Sequence, residues 1–294
     1  MIRSIALNRI LVVLFFVIAT EGLLTSQQRR SGQARTHKSL RVTVRDQHHR
    51  AVDSTTFAPP GFVYRNPPRL QPTTPEVFFH GPRNKRLIAL SFDACATLRP
   101  SRYEERITDI LVETKTPATL FLGGKWMEEE PEATKRLASY PQFELESHTF
   151  LHPHLKELSD ERIRQELRWT QQIMFSLTGR QPTCFRPPYG EYDERVVRIA
   201  SEMGLTTVQF DLASGDPDSS ISKQRIVDYV SSMARNGSII VMHINHGGWH
   251  TAEALPEIIT RLRKRGFSFA TVSELIALTR QKQKGQGLPP GPIR

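Results

Sequence analysis

Two histidines four residues apart, His148 and His152, lie in the run SHTFLHPHL. Imidazole nitrogen ligates zinc and related ions, and such a pair can converge on one ion when the chain between them turns. Other polar residues of matching chemistry lie at the ends of apolar runs. Asp93 stands near the end of LIALSFDA, Arg186 opens RPPYG, His243 ends IIVMH, and Asp216 lies in SGDPDSS. Two carboxylates, a cation and three histidines are residue types that can bind a metal and move protons. One group can remove a proton from water, another can return one to a leaving group, and a metal can polarise a carbonyl.

In their order and spacing, SFDAC, SHTFLHPH, FRPPYG and IIVMHINHGGW resemble the motif set of the polysaccharide deacetylases, the NodB-homology group of carbohydrate esterases, over residues 86–279. The resemblance implies a divalent metal, zinc by expectation, held by His148 and His152. It implies that Asp93 is the general base acting on a metal-bound water, and that Arg186 pairs with Asp93, favouring its charged form. The backbone N–H of Tyr189, aimed by the rigid Pro187–Pro188 pair, is expected to hold the oxyanion. His243 is expected to protonate the leaving amine, oriented by Asp216, with Asp211 and Asp218 as alternatives. Trp249, in the loop NHGGWHT, and Pro188 are expected at the substrate surface. The implied activity is removal of acetyl groups from N-acetylated sugars of a polysaccharide.

The first motif departs from the family pattern. It usually ends in two adjacent aspartates, but Asp93 is followed here by Ala94, which cannot ligate. Three readings follow: a substitute third ligand, chemistry without metal on a small amide, or an inactive glycan-binding module. Asp93 is the nearest substitute; His246, His250, Glu146, His154 and Cys95 are weaker ones. The joint presence of Asp93, Arg186, His243 and Asp216 favours an enzyme.

The net charge of +10 is unevenly spread. Residues 25–85 carry +8, residues 280–294 carry +4 and residues 1–24 carry +1, leaving residues 86–279 at −3. A nucleic-acid-binding domain would carry its basic patch on the fold, so no nucleic-acid partner is expected. Basic flanks suit an anionic envelope surface. Arg3 and Arg9 precede the apolar run Ile10–Ala19, which reads as an export signal or an N-terminal anchor over residues 1–24. A periplasmic, membrane-anchored or extracellular location follows. In such a compartment the two cysteines, Cys95 and Cys184, are compatible with a disulfide.

These side chains need a scaffold. Residues 25–85, dotted with proline, read as a basic linker, and FVY (62–64) and VFF (77–79) are expected to pack at the domain edge. From Arg86, strand and helix patterns alternate: strands LIALSFDA, ATLFLGG, FELESHT, TCFRPPYG, LTTVQFDL, GSIIVMH and FSFATV, with helices over 101–115, 128–139, 159–177, 193–203, 223–234 and 253–265. Alternation predicts a parallel α/β sheet. With the resemblance, it predicts a single-domain distorted (β/α) barrel of about seven parallel strands over residues 86–279, its site at the C-terminal face. Residues 280–294 read as a disordered tail.

Overall fold

In the computed structural model of the chain, residues 63–97 and 101–286 are described. The expected export segment, most of the linker and the last eight residues lie outside them.

The apolar run LIALSFDA forms the central strand, β2 (Leu87–Ala94), once the short edge strand β1 (Val77–Phe78) is numbered first. Its side chains alternate between two faces, as a strand requires. Ile88, Leu90, Phe92 and Ala94 enter the apolar layer against the helices. Ala89 enters an inner cluster with Phe121 and Ile239, and Ser91 and Asp93 share its alternation. Parallel neighbours flank β2 on both sides: β3 (Ala118–Leu122) and β8 (Ile239–His243). Beyond β3 follow β4 (Phe143–Ser147), β5 (Cys184–Phe185), β6 (Thr206–Val208) and then β1. Beyond β8 lies β7 (Leu212–Ala213), while β9 (Ser268–Phe269) pairs with the start of β2. Every strand pair is parallel.

Parallel neighbours need crossovers, which the helices supply. α1 (Glu105–Glu113), α2 (Gly124–Glu129), α3 (Pro131–Ser139), α4 (Asp160–Thr178), α5 (Glu194–Glu202), α6 (Lys223–Met233) and α7 (Thr251–Lys264) line the sheet, and α8 (Val272–Gln286) follows β9. Val272, Leu275 and Ile276 of α8 close the inner cluster. The curled parallel sheet with its helices is the expected distorted barrel. No helix among the described residues is long and apolar enough to cross a membrane.

Several elements differ from expectation for identifiable reasons. The helix expected over 128–139 is two helices, because Pro131 lacks an N–H and restarts the chain at the first position of α3. LTTVQFDL is two strands: the Gln209 N–H donates to Phe78 O, whereas the Asp211 N–H donates to Ile239 O. The chain thus changes partner edge within three residues. Residues 63–76, inside the expected linker, run along the helices. The Arg65 guanidinium donates to the carbonyls of Phe175 and Ser176, and Gln181 donates to Pro68 O. Leu70 crosses α5 at its closing residue Gly204, where φ is +81° and a Cβ would lie 2.2 Å from Leu70 Cβ. The segment read as tail is helical through Gln286, and Arg280 is ion-paired with Glu76.

Candidate active site

Parallel register brings the reacting groups to one end of the sheet. Asp93 and His243 are direct partners across β2 and β8, on strands about 4.8 Å apart. His148 follows β4, Arg186 follows β5 and Asp216 follows β7.

Each half of the site has its own counter-ion. Arg186, 1% exposed, donates from Nη1 to Asp93 Oδ1 at 2.6 Å and from Nη2 to Ser91 Oγ at 2.9 Å. Its guanidinium lies 4.0 Å from the Phe121 ring centroid. Burial lowers the Arg186 pKa against the opposing pull of Asp93. In the other half, Asp216, also 1% exposed, accepts the His243 backbone N–H (2.7 Å) and Thr251 Oγ1–H (2.7 Å) on Oδ2. Its Oδ1 accepts Ser214 Oγ–H (2.8 Å) and His243 Nδ1–H (3.0 Å). Burial alone would push the His243 pKa down, but Asp216, and after it Cys95, more than offset it. The imidazole pKa is held well above its ordinary value. Gly248 packs against this carboxylate; a Cβ there would meet Thr251 Oγ1 at 2.4 Å and Asp216 Oδ2 at 2.7 Å.

The histidine pair lies between these halves. His148 Nδ1–H donates to the Arg186 carbonyl at 2.9 Å, which leaves Nε2 as the nitrogen that can ligate a metal. That atom lies 3.7 Å from Cys95 Sγ and 3.8 Å from Asp93 Oδ2. The ring centroids of His148 and His152 are 4.9 Å apart. The ligand atoms of Cys95, His148 and His152 all fall within 4.8 Å of one another. Burial raises the Cys95 pKa, but His152, with hydrogen bonds to His148, His152 and His243, brings it well below the ordinary thiol value.

The loop that presents the pair is strained and tied down. Thr149 and His152 have φ of 61° and 59°, conformations costing roughly 1–3 kcal/mol each and typical of functional sites. Buried Glu166 of α4 holds the two residues between them: its Oε2 accepts the N–H of Phe150 (2.9 Å) and of Leu151 (2.7 Å), and Arg162 donates to its Oε1 (2.6 Å).

The other expected residues fall as follows. Tyr189 (φ 58°) lies in a single 3-10 turn, Pro188–Gly190, and Gln209 Nε2 donates to Gly190 O. The Tyr189 side chain is 47% exposed, stacked on His154 at 4.2 Å. Pro188, expected at the substrate surface, is buried because this turn faces Tyr189 outward instead. Trp249 is 52% exposed, and its backbone N–H donates to Asp216 O. Asp211, the alternative to Asp216, is occupied by Arg83 and the Ile239 N–H; Asp218 binds Ser220. Glu146 accepts from Thr183 and Cys184 N–H, and His154 pairs with Glu191. Both cysteines are free thiols. Burial and then Glu146 raise the Cys184 pKa well above its ordinary value. Sequence reasoning did not single out Ser91, Ser214, Thr251 or Glu166.

The sequence profile of the polysaccharide deacetylases matches residues 80–208. Over 207 residues the chain is 30% identical to a peptidoglycan-N-acetylglucosamine deacetylase of Bacillus cereus, spanning 70% of this chain and 74% of that one. The chain belongs to the polysaccharide deacetylase family. As a polysaccharide deacetylase it is a hydrolase that removes acetyl groups from N-acetylated sugars of a polysaccharide. A crystal structure of a peptidoglycan N-acetylglucosamine deacetylase matches with TM-score 0.63 at 32% identity, covering 68% of this chain and 92% of that chain. A CE4 family pseudoenzyme from Bacillus anthracis matches with TM-score 0.64 at 27% identity, covering 70% of each chain. A mutant of that pseudoenzyme has restored enzymatic activity.

The donor set of this polysaccharide deacetylase fits a divalent metal. His148, with Nδ1–H fixed on a backbone carbonyl and Nε2 turned to Cys95 and Asp93, has the arrangement metal-ligating histidines adopt.

Proposed function

We propose that the chain deacetylates N-acetylglucosamine-type residues of peptidoglycan outside the cytoplasm, with Asp93 as general base and His243 as general acid. The reading rests on one observation: these two groups are register partners on adjacent strands, and each is locked by a separate buried counter-ion. Asp93 takes a proton from the attacking water. His243, whose raised pKa keeps a proton available, delivers it to the leaving amine nitrogen, and acetate departs. The Tyr189 backbone N–H, in its left-handed turn, supports the developing oxyanion. Arg186 and Asp216 position the base and the acid. His148 and His152 would hold a divalent ion, which would supply carbonyl polarisation and water activation when bound. Exposed Trp249 and Tyr189 offer aromatic faces to the sugars. The substrate class is supported by the similarity to a peptidoglycan deacetylase, and the location by the charged and apolar N-terminal pattern.

Acetate release from N-acetylated chito-oligosaccharide and from purified peptidoglycan tests the reading. Release from both, abolished by Asp93→Asn and by His243→Ala, is the expected result. The likeness to a pseudoenzyme, together with Ala94, supports a second reading as an inactive glycan binder. Peptidoglycan binding with no acetate released at any metal loading would favour it.

A further inference from the structure

We propose that Cys95 is the third protein ligand of the metal, a thiolate standing where the family pattern has an aspartate at position 94, so that the site is a Cys–His–His centre for zinc or cobalt(II). This deepens the reading of His148 and His152 as metal ligands and rests on it. The end of β2 places the thiol. Ala94 belongs to the apolar layer shared with Trp126, Met127 and Phe150. One residue on, just past the end of β2, Cys95 turns its thiol to the histidine pair, with Sγ 3.7 Å from His148 Nε2.

The backbone there is fixed from both sides. Gly123 N–H donates to Ala94 O at 2.9 Å, and a Cβ on Gly123 would lie 2.8 Å from that oxygen. Asn245 Nδ2 donates to the Cys95 carbonyl at 2.9 Å. The thiol is therefore presented by a braced segment.

The distances suit coordination. With Zn–N near 2.0–2.1 Å and Zn–S near 2.3 Å in tetrahedral geometry, an N and an S ligand stand about 3.5 Å apart. Cys95 Sγ and His148 Nε2 are 3.7 Å apart, and His152 closes the triangle within 4.8 Å. Asp93, whose Oδ2 lies 3.8 Å from His148 Nε2, receives Arg186 on Oδ1 and is not part of the cluster formed by Cys95, His148 and His152. Three protein ligands leave a fourth position open, the pattern of catalytic zinc sites. A thiolate with two imidazoles favours zinc and cobalt over magnesium, calcium or manganese, which prefer oxygen.

Cobalt(II) titration of the reduced, metal-free full chain, followed by absorption, is the test. The expected wild-type result is visible bands of tetrahedral cobalt and a near-ultraviolet sulfur-to-cobalt charge-transfer band, both saturating together. Cys95→Ser should lose the charge-transfer band and weaken cobalt binding by at least the ~10–100-fold typical when a supporting partner is lost. Cys95→Asp should bind cobalt with no such band, and Cys184→Ser should keep it. Cobalt bound by the wild type without the sulfur band, or a band that survives Cys95→Ser, would overturn the assignment while leaving the histidine site intact. No cobalt bound by the wild type, with no change on His148→Ala/His152→Ala, would overturn both the assignment and the metal reading.

Discussion

Replacing Asp216 by asparagine preserves shape and removes one charge, and the hydrogen-bond pattern dictates the consequence. The His243 backbone N–H, 2.7 Å from Oδ2, can only donate. The amide oxygen of the introduced side chain must therefore take that side, where Thr251 also donates. The amide nitrogen is then forced toward His243 Nδ1, 3.0 Å from Oδ1 in the native chain. Nδ1 can meet an N–H only by giving up its own proton. The imidazole becomes the neutral Nε2–H tautomer, its charge no longer supported by the carboxylate, and burial pulls its pKa back down. General acid catalysis contributes about 10²–10⁴-fold, so kcat should fall by that factor, equivalent to about 2.7–5.4 kcal/mol of barrier. The alkaline limb of the pH–rate profile, which reports loss of the His243 proton, should move to lower pH. NMR titration of the His243 ring reads the same shift without turnover. Because a raised histidine pKa stabilises the fold below the unfolded value and is lost as pH rises through the folded one, the variant should lose most stability on the acid side. An unchanged His243 titration with full activity would refute the assignment of Asp216 as the group that charges this histidine.

Three further outcomes are expected. Arg186→Met leaves the Asp93 carboxylate buried beside an apolar chain, and should destabilise the fold by about 3–5 kcal/mol; adding Asp93→Asn should recover part of the loss in a denaturant titration. Glu166→Ala unties the amides of Phe150 and Leu151 from α4, at about 1–3 kcal/mol for each amide left without an acceptor. Because those amides shape the His148–His152 loop, metal affinity measured by calorimetry should fall with stability, whereas Glu166→Gln should restore much of both. Burial, then Glu129, push the Glu128 carboxyl up to about 8. A carboxyl raised on folding binds its proton more tightly in the folded state, so stability falls as pH rises from the ordinary 4.5 toward 8. Glu128→Gln should therefore raise Tm more at pH 9 than at pH 5, and equal gains at both would contradict the shift.

The parts of the site that could be read from sequence are those that end apolar runs. Asp93, His148, Arg186 and His243 each lie at or just past a strand end, and in a parallel sheet those ends share one face. Position along the chain thus reported position in space. Cys95 was harder to read: it lies two residues after Asp93 but one past the last residue of β2. The obstacle was the place where β2 ends, since alternation governs a side chain only while the strand persists. Pro188 shows the same boundary from the other side. Once RPPYG leaves β5, Tyr189 adopts a left-handed turn that no residue preference announces, and the exposed surface passes from Pro188 to Tyr189. The prolines of 63–85 read as a linker because composition carries no record of partners far along the chain. Arg65, Leu70 and Glu76 are placed by Phe175, Gly204 and Arg280, more than one hundred residues later. Glu166 is the sharpest case. At the sequence level it is one acid in an amphipathic helix, yet it fixes the backbone of the metal loop because two strained residues there turn consecutive amides toward α4. What remained hidden is therefore less the chemistry than its bracing, which forms only where non-helical backbone meets a distant side chain.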